Sequence, residues 1–138
     1  GKLLINNEYE WSEIADYSHG FRKFICIEEF MPYEKDIRLT VVGNEIIACE
    51  RKSENWKANV NPTWMDIVDA PEEIVDMSKT VQNAVGCSVA GYDWIFTERG
   101  DWKLLEMNLS PGLNISEEHP GMENKLQTEV VRLLKKQV

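Results

Sequence analysis

Two strand–turn–strand patterns constrain the fold of this chain more than any other feature. In the first, the apolar-rich runs 36–42 and 45–52 are joined by a Gly-Asn pair, a two-residue turn that suits positive φ angles. In the second, the runs 88–96 and 101–108 are joined by the sequence Thr-Glu-Arg-Gly. Both patterns predict antiparallel hairpins, so we expect the chain to be built around an antiparallel sheet.

The remaining sequence predicts helices around these hairpins and a long loop between them. Helical patterns cover residues 10–20, residues 69–86 and the C-terminal segment, where apolar residues recur at helical spacing. The apolar runs 2–5 and 22–30 predict two short strands. Residues 53–71 contain Asn, Pro and Trp without periodicity, which predicts a loop.

The composition excludes some classes of function. The chain has 138 residues, with 24 acidic and 15 basic side chains, and its net charge of −9 repels nucleic acid phosphates and anionic membranes. No apolar run approaches the length of a membrane span. The three cysteines, Cys26, Cys49 and Cys87, have no CxxC spacing, which favours buried thiols in a reducing compartment and a cytoplasmic protein. We therefore expect neither nucleic acid nor a membrane as a partner.

The second hairpin brings acidic side chains together. If its turn is centred on residues 99–100, Asp93 faces Glu106, and Gly91 faces Asn108 and leaves open space above the sheet. Facing carboxylates repel each other unless a cation lies between them, and carboxylate and amide oxygens suit Mg²⁺ or Mn²⁺. The alternative is that these residues form the solvent side of a one-sided sheet, where alternating polar residues are routine.

The first hairpin arranges charged residues in a similar way. A turn at residues 43–44 sets Asp36 opposite Arg51, with Arg38 on the same face. A single Asp–Arg pair is ordinary surface chemistry, but two arginines exceed what Asp36 neutralises and suit an anion such as a phosphoryl group. Lys57, in the loop that follows, could extend this cluster.

With these elements in this order, the chain resembles the ATP-grasp superfamily, and within it the RimK-like and glutathione-synthetase-like amino-acid ligases. The resemblance covers residues 25–113 and rests on the ordered segments IEEF, KDIRLTVVGNEIIACERK, NWKANV, VAGYDWIF and LLEMNLSPG. It implies an α+β fold with a mainly antiparallel sheet and helices packed on one face. Residues 1–33 would be a remnant of the small lid subdomain with the adenine-binding connection, and residues 34–138 the C-terminal, large subdomain.

The resemblance also implies a nucleotide site. Glu29 and Phe30 would hold the adenine, and Asp36 would lie near the ribose. Lys57 and Asn59 occupy the positions of an Arg and an Asn in the family's loop. Lysine keeps the positive charge of that arginine but lacks its bidentate fork.

Catalytic and metal-binding residues are implied in the same manner. Arg38 and Arg51 match arginines associated with the phosphates and the acyl phosphate, so they would be the catalytic residues. Asp93, Glu106 and Asn108 match the metal ligands. The implied cofactors are ATP and Mg²⁺ or Mn²⁺.

The implied activity is ATP-dependent ligation of a carboxylate to an amine through an acyl phosphate, with release of ADP. A carboxylate and an amine, such as an amino acid or a peptide, would be the substrates. Since no glycine-rich lid loop is found, we expect the chain to be the C-terminal part of a larger ligase, inactive alone, with the missing N-terminal part as a partner. Two alternatives stay open: a nucleotide-binding or interaction module without catalysis, and a Ca²⁺-binding module.

Overall fold

The computed structural model describes residues 2–19, 26–58, 62–112 and 120–136. The chain divides into two compact units, Gly1–Pro32 and Tyr33–Val138. No helix within these described ranges is long and apolar enough to cross a membrane.

The first unit contains helix α1 (Glu8–His19). Asn7 caps this helix, because its Oδ1 accepts the backbone N–H of Glu10 at 2.9 Å, and the Glu10 carboxylate accepts the backbone N–H of Asn6 at 2.8 Å. The predicted strand at residues 2–5 is wrong, since residues 2–6 are irregular. An apolar run becomes a strand only where a partner strand satisfies its backbone.

The second strand predicted for this unit has the same outcome where it is described. Residues 26–30 are irregular, and residues 22–25 of the predicted strand lie outside the described residues. Cys26 is exposed in this irregular segment, so its predicted burial is wrong, whereas Cys49 is buried and Cys87 half-buried in the second unit.

The second unit is built on a five-stranded antiparallel sheet, which confirms the α+β class. The strands are β1 (Tyr33–Val42), β2 (Glu45–Lys52), β3 (Trp64–Val68), β4 (Val89–Thr97) and β5 (Trp102–Asn108), and their order across the sheet is β3-β2-β1-β4-β5. Both predicted hairpins, β1–β2 and β4–β5, are confirmed. The loop predicted for residues 53–71 is wrong over β3. This segment is an edge strand, which needs only one neighbour, and it pairs with β2.

The register of the second hairpin depends on a bulge. Its turn is a three-residue loop, residues 98–100, that ends on Gly100 with a φ of 83°, and Phe96 faces Trp102 beyond it. Between that pair and Asp93 the register shifts by one residue, so that Leu105 is extra. The turn is centred on residue 99, half a residue earlier than predicted, and the bulge compensates for this difference. The predicted pairing of Asp93 with Glu106 is therefore confirmed.

The two faces of the sheet are covered differently. One face forms the main core, where α2 (Glu72–Val85) packs through Ile74. Inside this core, Trp94 Nε1 donates to Ser78 Oγ at 3.0 Å. The buried residues of the core are Ile37, Leu39, Val41, Ala48, Ile74, Ala90, Tyr92 and Trp94.

The C-terminal helix α3 (Pro120–Lys135) packs on the opposite face, through Val130 and Leu133 against Val42 and Ile47. The expectation that the helices pack on one face is therefore wrong. The reason is local: the face that carries charged residues in the middle of β1 becomes apolar at its end, and this apolar patch takes a second helix.

Candidate functional site

Four charged side chains from three adjacent strands form one cluster on the sheet face that α2 does not cover. Arg38 binds Asp93 with two hydrogen bonds, from Nε to Oδ1 at 2.8 Å and from Nη2 to Oδ2 at 2.7 Å. Arg51 donates from Nε to Asp36 Oδ1 at 2.6 Å and from Nη2 to Asp93 Oδ1 at 3.0 Å. This charged cluster, defined as Asp36, Arg38, Arg51 and Asp93, is therefore a continuous ionic network.

Burial divides the charged cluster into an inner and an outer part. The side chains of Asp36 and Arg51 are each 6% exposed and that of Asp93 is 7% exposed, whereas that of Arg38 is 33% exposed. Buried charges are tolerated only when they are paired and hydrogen-bonded, as they are here. Arg38 is thus the member of the cluster that solvent or a ligand can reach most easily.

The pKa values of the two carboxyl groups in the cluster are shifted in opposite directions. Burial raises the pKa of Asp36, against the opposing charge and hydrogen bond of Arg51. Burial acts in the same direction on Asp93, but the hydrogen bond from Arg38 and the charge of Arg51 outweigh it and lower the pKa of Asp93. The hydrogen bond to Asp93 raises the pKa of Arg38. Asp93 is consequently ionised at neutral pH, as a metal ligand has to be.

The predicted cross-strand pairs lie where the sequence placed them. Asp36 faces Arg51, and their ion pair is formed. The contact of both arginines with Asp93 was not predicted, because it depends on β1 lying beside β4 with Arg38 facing Asp93. Turn chemistry fixes the register inside each hairpin, and no signal in the sequence fixes the register between the two hairpins.

Glu106 and Asn108 extend the same face on β5. Glu106 faces Asp93 and is exposed, and Asn108 is half-buried opposite Gly91. The Asn108 Oδ1 accepts the backbone N–H of Ser110 at 2.8 Å, which fixes the amide at the end of the strand. The space above Gly91 is not open as predicted, because a Cβ placed there would lie 3.0 Å from the Cβ of Pro111.

The donor set fits a hard divalent cation. Two carboxylates and an amide oxygen lie on adjacent strands, and Mg²⁺ bound by so few protein groups completes its coordination with water and phosphate oxygens. Within the described ranges, no group of three or more His, Cys, Asp or Glu residues is placed to hold a metal. Two carboxylates and one amide oxygen leave the remaining coordination positions of such an ion to water or to ligand oxygens.

The residues assigned to the nucleotide lie in different parts of the chain. Glu29 and Phe30 belong to the first unit and are exposed there. Lys57 is half-buried in the loop after β2, with its Nζ 4.5 Å from the centre of the Trp56 ring. Asn59 lies outside the described residues.

Tyr33, which the sequence did not single out, holds the loop that carries Lys57. Its hydroxyl donates to the carbonyl oxygen of Trp56 at 3.1 Å and accepts the backbone N–H of Ala58 at 3.2 Å. The phenol thereby ties the start of β1 to residues 56–58. A tyrosine at the start of a strand carries no signal of such a contact in the sequence.

Comparison with known proteins agrees with this architecture. Residues 4–134 match the RimK-like ATP-grasp domain. The match covers nearly the whole chain, and the chain therefore belongs to the RimK-like ATP-grasp family, as the resemblance in its motifs indicated.

Several curated relatives are named as ligases. A tetrahydromethanopterin:alpha-L-glutamate ligase of Methanocaldococcus jannaschii is 33% identical over 97% of this chain and 46% of its own length. A probable alpha-L-glutamate ligase of Enterobacter sp. (strain 638) is 28% identical, and a ribosomal protein bS6--L-glutamate ligase of Salmonella paratyphi B is 29% identical, each over 89% of this chain and 43% of the relative. The chain spans less than half the length of these relatives.

Solved structures share the fold at lower identity. An ATP-grasp ligase of Chryseobacterium gregarium associated with ribosomally made peptides, in complex with ADP and a leader and core peptide, superimposes with a TM-score of 0.61. It is 20% identical, and the alignment covers 78% of this chain and 35% of that chain. The macrocyclase MdnC of Microcystis aeruginosa gives a TM-score of 0.57 at 18% identity, over 74% and 34% of the two chains.

Proposed function

We propose that this chain supplies the phosphate- and metal-binding part of an ATP-dependent carboxylate–amine ligase that works through an acyl phosphate and releases ADP. The observation that carries the proposal is the charged cluster beside Glu106 and Asn108, which places two arginines and a set of hard oxygen ligands on one face of the sheet. A site for a cation alone has no use for the arginines, whereas a phosphoryl-transfer site needs both.

In this proposal, Asp93, Glu106 and Asn108 hold Mg²⁺ or Mn²⁺. When bound, the ion would neutralise the negative charge that develops on the phosphoryl oxygens. Arg38 and Arg51 are the catalytic arginines of the proposal. Arg38, the more exposed of the two, would contact the transferred phosphoryl group, and the buried Arg51 would act on it while it holds the carboxylates of the cluster in register.

The remaining assignments concern the nucleotide. Glu29 and Phe30 would contact the adenine, Asp36 would act near the ribose, and Lys57 and Asn59 would contact the nucleotide from the loop after β2. The two hydrogen bonds of Tyr33 to residues 56–58 support a defined position for the Lys57 loop. Because Asp36 is buried and paired with Arg51, its effect on the ribose would pass through its neighbours.

The names of the relatives support an amino acid or a peptide as a substrate, since they include L-glutamate ligases and a ligase bound to a peptide. We propose that one substrate is a carboxylate and the other an amine, both from these classes. The reaction would take place in the cytoplasm, and the rest of a longer ligase would complete the nucleotide cleft.

The proposal is tested by calorimetric titration of the chain with ADP, with and without Mg²⁺. We expect Mg²⁺ to strengthen ADP binding in the native chain and this effect to be lost in Asp93→Asn/Glu106→Gln. The matched control is Glu72→Gln/Glu73→Gln, which removes the same charge from the exposed start of α2 and should bind like the native chain. Because Asp93 is buried and paired, the single variant Glu106→Gln checks that any loss is not due to unfolding.

Two results would contradict the assignment or restrict it. Native-like Mg²⁺-dependent binding in the double variant would remove Asp93 and Glu106 from the metal site. Binding of ADP and Mg²⁺ by a longer protein containing this chain, without ADP release from ATP in the presence of amino acid and peptide substrates, would favour the catalytically inactive module instead.

A further inference from the structure

The Asp93 carboxylate is almost fully occupied by arginine. An ionised carboxylate offers about four acceptor positions, two on each oxygen. Oδ1 accepts hydrogen bonds from both Arg38 Nε and Arg51 Nη2, and Oδ2 accepts one from Arg38 Nη2. A cation that binds Asp93 therefore has the second position of Oδ2 left, next to the Arg38 guanidinium.

The two arginines differ in how easily they can leave this carboxylate. Arg51 is 6% exposed and is also bound to Asp36, so its displacement would leave two buried charges without a partner. Arg38 is 33% exposed at its side chain, and its guanidinium can turn toward solvent at a smaller cost. A cation arriving at Oδ2 would thus displace Arg38 rather than Arg51.

The charge count of this face changes sign when a divalent cation binds. Asp36, Asp93 and Glu106 carry three negative charges against the two positive charges of Arg38 and Arg51, so the face has one net negative charge. A divalent cation leaves one net positive charge. Such a face repels a guanidinium at the carboxylates and attracts an anionic phosphoryl group.

We propose that Arg38 and the divalent cation compete for Asp93, so that Arg38 neutralises this carboxylate until the cation binds and is then released toward the anionic group of the nucleotide or acyl phosphate. The inference rests on the proposed function, because it takes Asp93 as a ligand of that cation. Binding of the cation and delivery of the arginine are then one coupled event. Arg51 remains bound to Asp36 and Asp93.

The test measures Mn²⁺ affinity by electron paramagnetic resonance, without nucleotide, in the native chain, Arg38→Lys, Arg38→Gln and Asp93→Asn. Lysine keeps the charge of Arg38 but cannot bind the carboxylate with two N–H groups. We expect Arg38→Lys to bind Mn²⁺ about tenfold more tightly than the native chain, the change that corresponds to about 1.4 kcal/mol for one charge-assisted hydrogen bond. Arg38→Gln should bind at least as tightly as Arg38→Lys, and Asp93→Asn should bind most weakly.

The outcomes separate this inference from the proposed function. If the native chain binds Mn²⁺ and Arg38→Lys binds it equally or more weakly, competition is disproved and the metal site stands. If neither binds Mn²⁺, both the inference and the metal assignment are disproved. Tighter binding in Arg38→Gln alone would show a long-range charge effect and would also disprove competition.

A second readout follows the guanidinium itself. In ¹⁵N spectra of the arginine side chains, addition of Mg²⁺ should shift the Nε–H signal of Arg38, because its hydrogen bond to Asp93 is lost. The Nε–H of Arg51, which is bound to Asp36, should keep its position and serves as the internal control. An unchanged Arg38 signal under saturating Mg²⁺ would overturn the proposal.

Discussion

The two faces of the sheet are made from alternate residues of the same strands, yet they are stabilised in opposite ways. On one face, Leu39 and Tyr92 are fully buried in an apolar core beneath α2. On the other, one residue away along each strand, Arg38 and Asp93 belong to a buried ionic network. The apolar face gains its stability from removing surface from water, whereas the charged face depends on every partner being present.

This difference shows how one sheet provides both stability and a reactive site. The apolar core holds the strands rigidly, so the charges on the opposite face keep a fixed geometry. Substitutions on the two faces should accordingly fail for different reasons and by different amounts.

The largest effect is expected from breaking the charged face. Arg51→Met leaves Asp36 and Asp93 buried without Arg51, and we expect the free energy of unfolding to fall by about 3–5 kcal/mol. Urea unfolding measures this loss. The control is Lys103→Met, which removes a surface ion pair with Asp101 and should leave the urea midpoint close to that of the native chain. Equal effects of the two variants would mean that burial gives the cluster no special role.

A smaller effect is expected at the polar contact inside the apolar face. Ser78→Ala removes the acceptor of the Trp94 indole N–H and leaves this donor buried, so unfolding should become easier by about 1–3 kcal/mol. Thr80→Ala, an exposed position on the same helix, should stay within about 0.5 kcal/mol of the native chain in the same urea experiment. A neutral result for Ser78→Ala would show that the indole finds another partner.

At neutral pH, the smallest effect on stability is expected from removing the Tyr92 hydroxyl, which lies in the same apolar core. The Tyr92 hydroxyl is buried and has no hydrogen-bond partner within the part of the chain that the structure describes. Tyr92→Phe should therefore leave stability unchanged or raise it by up to about 1 kcal/mol. A loss above about 1 kcal/mol would reveal a hydrogen bond to this hydroxyl.

Alkaline pH sharpens the same comparison. Burial raises the pKa of Tyr92 to about 12, so between pH 10 and about 12 the phenol is ionised in the unfolded chain and neutral in the folded one. Stability that is present below pH 10 is therefore lost as the pH rises, and the native chain should weaken relative to Tyr92→Phe. Tyr9→Phe, at an exposed tyrosine, is the control and should show no such pH-dependent difference.

The sequence predicts local pairings of this fold better than long-range ones. The Gly43-Asn44 turn fixes the pair of Asp36 with Arg51, because a tight turn determines the register of its own hairpin. The contact of Arg38 with Asp93 joins residues 55 positions apart and depends on which hairpins become neighbours in the sheet.

The incorrect predictions have the same physical origin. Strand β3 has a mixed pattern because an edge strand is half-exposed and pairs on one side. The placement of α3 depends on an apolar patch formed by Val42 and Ile47. In the sequence these residues are part of the apolar runs of the first hairpin, so nothing distinguishes them from residues that face the main core. The assignments of ligands and catalytic groups stay predictions until the titrations described above are made.

The bulge at Leu105 has a consequence for variation in chain length. Because Leu104 faces Trp94 and Glu106 faces Asp93, Leu105 opposes no residue of its own in the ladder. A sequence that lacks this single position can keep every other strand pair, including the acidic pair, in place. Alignments of related ligases should therefore tolerate a one-residue gap here, while a gap anywhere between residues 106 and 108 would turn the side chains beyond it onto the wrong face of the sheet.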